Sequence, residues 1–497
     1  MNRVAATPSV AVVGGGASGT LAAVHLLRRA RALAMPLEVV LIDQYGRHAL
    51  GQAYSTTDPH HLLNACVSKM SAIEGDPGHL LRWARDNGLD IDGPDYLPRQ
   101  VYGRYLRDVL AAAEEPPLRV VRRVTGTASG LTCDRGVRVR LSDGGQIDAD
   151  AAVLALGNRT PAAWPHIVDA VDSRYVADPW ARNALTRICD GAPVLVLGTG
   201  LTMVDVAVTV TRAHPDAVVY AVSRHALLPR PHPYPVPPPV PVPIPDGPLG
   251  VAGLLRAVRL AVKDNAGDWH GVVDGLRPQV QRLWARLTPD DQRRFLSGAA
   301  RYWEVHRHRI PPATAARVAD LRATGRLRVL RGQMLRTTAV PGGMRARVEV
   351  DGAVRELDVG WLVNATGPGS DIARDPFLAS LISGGTARPD RLRLGLDAGL
   401  GGAVLDATGH SDGRVFTLGP MLRGSLYETT AIPEIRAQAA ALASRLIEAV
   451  TIRPGRSHPE PGSSEPHIDV PYHRIEANAL TFGSSLTESE ITRIAGG

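Results

Sequence analysis

Lysine is almost missing from this 497-residue chain. Lys69 and Lys263 are the only two, so the formal charge of +7 rests on arginine. Those arginines are scattered, and aromatic residues make up only 4% of the chain, so neither a clustered basic stripe nor a base-stacking platform is present and nucleic-acid binding is not expected. Abundant arginine, alanine, glycine and proline together are what a GC-rich coding sequence produces. Cysteine is scarce too: Cys66, Cys133 and Cys189 lie far apart and in no CxxC pair. That excludes a disulfide framework, a zinc ribbon and an internal redox dithiol, and it suits a reducing compartment. No uninterrupted apolar run approaches the roughly 20 residues of a membrane helix. The opening MNRVAATPSV has no signal-peptide apolar core, so no membrane span and a cytoplasmic location are expected. His60 and His61 sit beside Asp58, but nothing else has ligand spacing and no metal is expected.

What is present is a pair of glycine-rich turns about 180 residues apart, each between an apolar, β-branched run and a helical pattern. The first, VVGGGASG, carries Gly14, Gly16, Ser18 and Gly19; the second, VLVLGTGLTMVD, carries Gly198 and Gly200. In the order strand, turn, helix, backbone N–H groups at the helix start face a pyrophosphate, and the helix dipole favours its charge. Two such turns imply two dinucleotides. The strand after the first turn ends at Asp43, where a carboxylate accepts from an adenosine ribose and repels a 2′-phosphate, so FAD or NAD is expected there. The equivalent strand of the second unit ends at Ser223 and Arg224. A guanidinium at that place pairs with a 2′-phosphate, so NADPH is expected at the second site.

Further motifs follow. The segment GQAYSTTDPHHLLNACVSKMSA, the helix LPRQVYGRYLRDVL, the strand turn VLALGN, LVNATGPGSD and LGPMLRGSLYETTAIPEIR complete the set. With both glycine turns and Asp43, this layout resembles the two-dinucleotide-binding-domain flavoproteins, and more narrowly the N-hydroxylating flavin monooxygenases, over roughly residues 8 to 450. The resemblance implies FAD across the first domain, with its ring toward residues 51–70, bordered by Gln52, Tyr54 and Asn64 and supported by Arg99. It also places Gly419 at the ribitol, and the backbone N–H groups of Thr430, Ala431 and Ile432 near the reduced flavin's negative end, with Pro433 suited to the first helical turn. Many such proteins carry an aspartate after that glycine; here Pro420 follows, leaving ribitol contact to the backbone or another side chain. The region before the second turn, YVADPWARNAL, lacks the fingerprint of ketone-oxidising monooxygenases, and Asp178, Pro179 and Trp180 are read either as a hinge or as a plain turn.

The expected fold class is α/β, with two Rossmann-like dinucleotide-binding domains, the FAD domain discontinuous, the NAD(P) domain inserted, and a helical insertion. Residues 1–190 are assigned to the first part of the FAD domain and 191–312 to the NAD(P) domain with a proline-rich connector and helical insertion. Residues 313–451 are assigned to the second part of the FAD domain, and 452–497 to a linker and tail. Within the insertion, His306, Arg307, His308 and Arg309 form a dense cationic run with Tyr302 and Trp303, read either as a carboxylate or phosphate site or as a solvated helix face. The activity expected is FAD-dependent NADPH oxidoreduction, with dioxygen and a small polar substrate hydroxylated through a flavin hydroperoxide. Two alternatives stand beside it: a reductase passing electrons to a quinone or protein, and a non-catalytic redox sensor.

Overall fold

The computed structural model describes residues 7–164, 173–248, 250–369 and 371–451; the linker and tail assigned to 452–497 lie outside the described residues. The chain opens with β1 (Ser9–Val13), α1 (Ala17–Ala32) and β2 (Leu37–Asp43), a parallel βαβ unit in register from Ser9 opposite Glu38 to Val13 opposite Ile42. Helices α2 (His79–Asp86) and α3 (Arg99–Ala113) follow, then β3 (Arg119–Thr125), an antiparallel ribbon of β4 (Ala128–Cys133), β5 (Val137–Leu141) and β6 (Gln146–Ala149), and β7 (Ala151–Leu154).

A second unit then begins with β8 (Tyr175–Val176), β9 (Val194–Leu197), α4 (Leu201–Ala213) and β10 (Val219–Ser223). The proline-rich stretch after it contains no helix among its described residues and leads into five helices: α5 (Val251–Asp264), α6 (Trp269–Leu276), α7 (Val280–Arg286), α8 (Pro289–Arg294) and α9 (Ala300–Arg307). Next come α10 (Pro312–Ala323), β11 (Leu327–Val340), β12 (Gly343–Val350), β13 (Ala353–Val359) and β14 (Trp361–Asn364). The last elements are α11 (Pro376–Ser383), β15 (Val415–Thr417), α12 (Arg423–Leu426) and α13 (Ile432–Thr451).

Two main sheets result. The first is parallel, in the order β15-β7-β1-β2-β3, so its edge strand β15 returns from the far end of the sequence. Its inner strands β7, β1 and β2 are largely apolar on both faces, as a sheet covered on both sides requires. Val10, Val12, Val39 and Leu41 face one core with α1, α3 and α13, while Ala11, Val13, Val40 and Ile42 face another with the antiparallel ribbon and α11. The second sheet runs β13-β12-β11-β10-β9-β14-β8. Strands β8 to β11 are parallel, and β11 to β13 extend the sheet as an antiparallel meander.

The α/β class with two Rossmann-like units is as read from the sequence. The assignment of residues 313 onward to the first domain is corrected, because β11 to β14 pair within the second sheet as far as Asn364. The start at 191 moves too, since β8 pairs with β14. The cause is non-local pairing: β14 runs parallel to β9, more than 160 residues earlier, a partner no local pattern reveals.

Candidate active site between two dinucleotide turns

The two glycine turns are built alike. Gly14 and Gly198 have φ of +110° and +107°, backbone conformations open to glycine. A Cβ on Gly14 would strike the carbonyl oxygen of Ala155, after β7, and one on Gly198 would strike that of Ala365, after β14. Gly14 donates its amide to Ile42 (2.9 Å) and Gly198 to Val222 (2.8 Å), the matching position of the neighbouring strand. Gly16 and Gly200 then cap α1 and α4 in the same extended geometry, with ψ of −164° and −163°, and neither helix has a side-chain cap. Both helix starts thus leave first-turn N–H groups free for an anion. A Cβ on Gly200 would meet nothing within 4 Å, so the approach to α4 is open.

These residues fit dinucleotides. Asp43 ends β2 buried, and its Oδ1 accepts from the amides of Tyr45 (2.9 Å) and Arg47 (2.8 Å), which fixes the carboxylate beside Gly15 with Oδ2 left for a ribose hydroxyl. Ser18 lies in the first turn of α1 against Gly419: a Cβ on Gly419 (φ +68°) would approach Ser18 Oγ to 2.9 Å. Gly419 offers no free amide, however, because it donates to Gln438 Oε1 (2.8 Å), and its carbonyl accepts from Thr429 Oγ1 (3.0 Å). Pro420 has no N–H to offer at this point. Thr430, Ala431 and Ile432 lead into α13, and their amides have no acceptor among the described residues.

At the second site Ser223 is tied back, its Oγ 2.9 Å from Thr199 Oγ1 and accepting from the Ala226 amide (3.0 Å). Arg224 is exposed beside it. Two further arginines gather here that the sequence did not single out. Arg331 lies opposite Ser223 in the β10–β11 register, and Arg301 of α9 contacts the His225 ring. Burial, then the charges of Arg301, Arg224 and Arg331, hold His225 below its ordinary pKa. The strand end therefore faces a concentration of positive charge, the environment a 2′-phosphate requires.

The residues named for the flavin ring divide. Asn64 offers its carbonyl to His232 Nε2 (2.8 Å), and Tyr54 is 9% exposed with its ring 4.8 Å from that of Tyr102. Burial raises the Tyr54 phenol well above its ordinary value, so it stays neutral. Gln52 and Arg99 instead reach across to the second domain. Gln52 Nε2 lies 3.4 Å from both carboxylate oxygens of Asp178. Arg99 opens α3, donates Nε to the Leu62 carbonyl (3.1 Å) and places Nη2 2.8 Å from Asp205 Oδ2 of α4, with side-chain exposures of 11% and 9%. Arg99, named from the sequence as support for a flavin ring, has its charge paired with Asp205. Trp180 lies 5.4 Å from the Arg99 guanidinium and edge-on to His61 at 5.8 Å. His61, 1% exposed, bonds Thr56 Oγ1 (2.8 Å) and Thr209 Oγ1 of α4 (2.8 Å). Asp58 accepts from Thr209 Oγ1; against the opposing effect of burial, that bond and the His60 amide hold its carboxyl below the usual range. Thus Asp58, His61 and Arg99 form a buried polar lock between the domains, which Asp178 and Trp180 join.

The cationic run of the insertion is neither a free anion site nor a solvated face. Arg309, 2% exposed, pairs with Asp274 (3.1 Å) and lies over Trp269. Arg307 is within 3.4 Å of Glu428 and 3.7 Å of Glu434, and Arg277 is 2.6 Å from Glu434. His308 and Arg423 share Glu304 at 3.0 Å each. Despite its burial, those cations and the Tyr427 hydroxyl bring Glu304 down to about 2. Trp303 donates to Glu428 (2.7 Å) and Trp284 to the Gly424 carbonyl (2.8 Å). Tyr427, stacked on Trp284, has φ +60°, a strained backbone for a bulky residue. The insertion therefore grips residues 424–434 and sets the entry to α13.

Three turns at the carboxyl ends of strands meet around a cleft: Gly157–Arg159 after β7, Pro368–Gly369 after β14 and Pro420–Arg423 after β15. Ligands in open α/β sheets bind in this region.

The comparisons with known proteins agree with this architecture. Residues 11–159 match a family model described as FAD-NAD(P)-binding. No curated protein matches by sequence. Among solved structures, the chain is similar to the reduced ornithine hydroxylase of Pseudomonas aeruginosa (TM-score 0.62, 15% identity, covering 90% of this chain and 100% of that one). It is similar to the L-lysine 6-monooxygenase of Pseudomonas syringae (TM-score 0.60, 16% identity, 90% and 100%). It is also similar to the FAD-bound cadaverine monooxygenase of Erwinia amylovora (TM-score 0.58, 14% identity, 93% and 100%). The chain thus has the fold of the two-dinucleotide-binding-domain flavoproteins. The solved structures named here that share it are amine and amino-acid monooxygenases.

Proposed function

We propose that this protein is an FAD-dependent NADPH oxidoreductase, and specifically a monooxygenase that hydroxylates a small polar substrate, an amine or an amino acid. The observation that carries the reading is the pair of geometrically matched glycine turns in two sheets whose carboxyl ends meet at one cleft. In this reading FAD occupies the first turn and NADPH the second, and together they supply hydride transfer and reduction of dioxygen.

The chain's own part is binding, placement and exclusion of water. First-turn amides of α1, with Gly14, Gly16, Ser18 and Gly19 leaving room, receive one pyrophosphate, and Asp43 Oδ2 takes a ribose hydroxyl. Gly198, Gly200 and the start of α4 receive the other pyrophosphate, and Arg224 with Arg301 and Arg331 takes the 2′-phosphate. The free amides of Thr430, Ala431 and Ile432 at the α13 N-terminus favour negative charge on a reduced ring, and the insertion's grip on residues 424–434 holds them in place. The buried lock through Arg99 keeps the domains in one relation and shields the space between them from water.

The test is parallel measurement of NADPH, dioxygen, peroxide and hydroxylated product across small amines and amino acids. Product formed in step with NADPH consumed supports the reading. NADPH consumed with only peroxide or a reduced quinone formed would replace it with a reductase, and no flavin reduction by either nicotinamide would replace it with a sensor.

A further inference from the structure

We propose that the cleft between Gly157–Arg159, Pro368–Gly369 and Pro420–Arg423 is a carboxylate site for a small organic acid, with Arg159 and Arg423 as its cationic walls. This names the substrate class for the site of the proposed function and rests on that reading. The cleft is open to solvent, with a cavity volume of about 70 Å³.

Arg159 directs Nε (2.9 Å) and Nη2 to the carbonyl oxygen of Gly369, joining the exit turns of β7 and β14. Among the described residues its buried Nη1 has no acceptor, and no carboxylate lies within 4.0 Å of the guanidinium. Asp375, Asp371 and Asp390 act on it only at longer range, and Arg423 opposes it, while burial pushes its pKa down. A buried guanidinium edge with neither acceptor nor counter-ion is completed by an oxyanion. Arg423 lines the same cleft, with its Nη2 held 3.0 Å from Glu304 Oε1. Asn158 also lines the cleft, while Pro368, Leu394, Pro420 and Met421 add an apolar wall on which the carbon skeleton of a carboxylate can rest. The insertion's own cations are paired with Asp274, Glu304, Glu428 and Glu434, so Arg159, and not residues 306–309, carries the anion preference, with Arg423 beside it.

The experiment uses the flavin-loaded full chain titrated with succinate, inorganic phosphate and 1,5-diaminopentane, read by perturbation of the flavin spectrum and by thermal midpoint. Succinate should saturate, and the diamine should not. Arg159→Gln should weaken succinate about tenfold or more while keeping its flavin, and Arg159→Lys less, because a point charge replaces the fork. Arg423→Gln provides the same test if Arg159→Gln fails to fold, and should weaken succinate as well. Unchanged succinate binding in a folded variant, saturation by phosphate but not succinate, or flavin loss in Arg159→Gln at intact melting would each overturn the proposal, the last by giving the oxyanion to the cofactor. Succinate binding that depends on Arg159 in a protein that never oxidises NADPH would support the cleft while sinking the monooxygenase reading.

Discussion

Replacing Arg99 by methionine is expected to loosen the two domains from each other, and the size of the effect follows from burial. Arg99 and Asp205 are about nine-tenths shielded and lie 2.8 Å apart, with the pairing arranged as an ion contact more than an aligned hydrogen bond. Removing one partner of such a pair leaves a buried charge unmatched, a cost of about 3–5 kcal/mol, whereas removing both is often nearly neutral. Arg99→Met and Asp205→Leu should therefore each lower stability by that amount, and the double variant should recover most of it. Trp180, over the guanidinium, supplies a fluorescence reporter for chemical denaturation. In parallel, the rate at which NADPH bleaches bound flavin should drop in both single variants. If the single variants lose less than about 1 kcal/mol, the scale of a surface pair, or if their losses simply add in the double variant, the lock as described is wrong.

Other outcomes follow from the same geometry. Gly14→Ala should purify largely without flavin, because the new Cβ collides with the Ala155 carbonyl; flavin content against that of the parent protein decides it. Arg224→Ala should narrow the preference for NADPH over NADH about tenfold, measured as the ratio of kcat/KM values, by removing one cation from the 2′-phosphate end. Burial pushes His232 down to about 4 from its ordinary 6.5. Its unfolded form gains a proton across that window while the folded form stays neutral, so stability present at neutral pH is lost as pH falls. By pH 5 the loss is about 2 kcal/mol. Denaturation at the two pH values should show this in the parent protein and a flatter response in His232→Gln.

The dinucleotide turns were legible because their signal is local. A strand, two glycines and a strand-end Asp43 or Arg224 lie within a few dozen residues, and the first glycine of each turn, Gly14 and Gly198, is demanded by a close approach of backbone. What escaped local reading depended on distant partners. Strands β11 to β14 joined the second sheet because β10 and β14 pair with residues far away in sequence. That Arg99 pairs with Asp205, more than 100 residues later, shows only once the chain is folded. Within the run from His306 to Arg309, the partners of Arg307 could not be read locally, because Glu428 and Glu434 sit more than 100 residues later. Arg331 became visible only through its register opposite Ser223.

The most direct test is anaerobic mixing of the purified, flavin-loaded protein with NADPH or NADH while the visible flavin absorbance is followed. The protein is expected to be yellow, its colour bleaching readily with NADPH and more slowly with NADH. A folded protein that takes up no flavin, or one whose bound flavin neither nucleotide reduces, would contradict it.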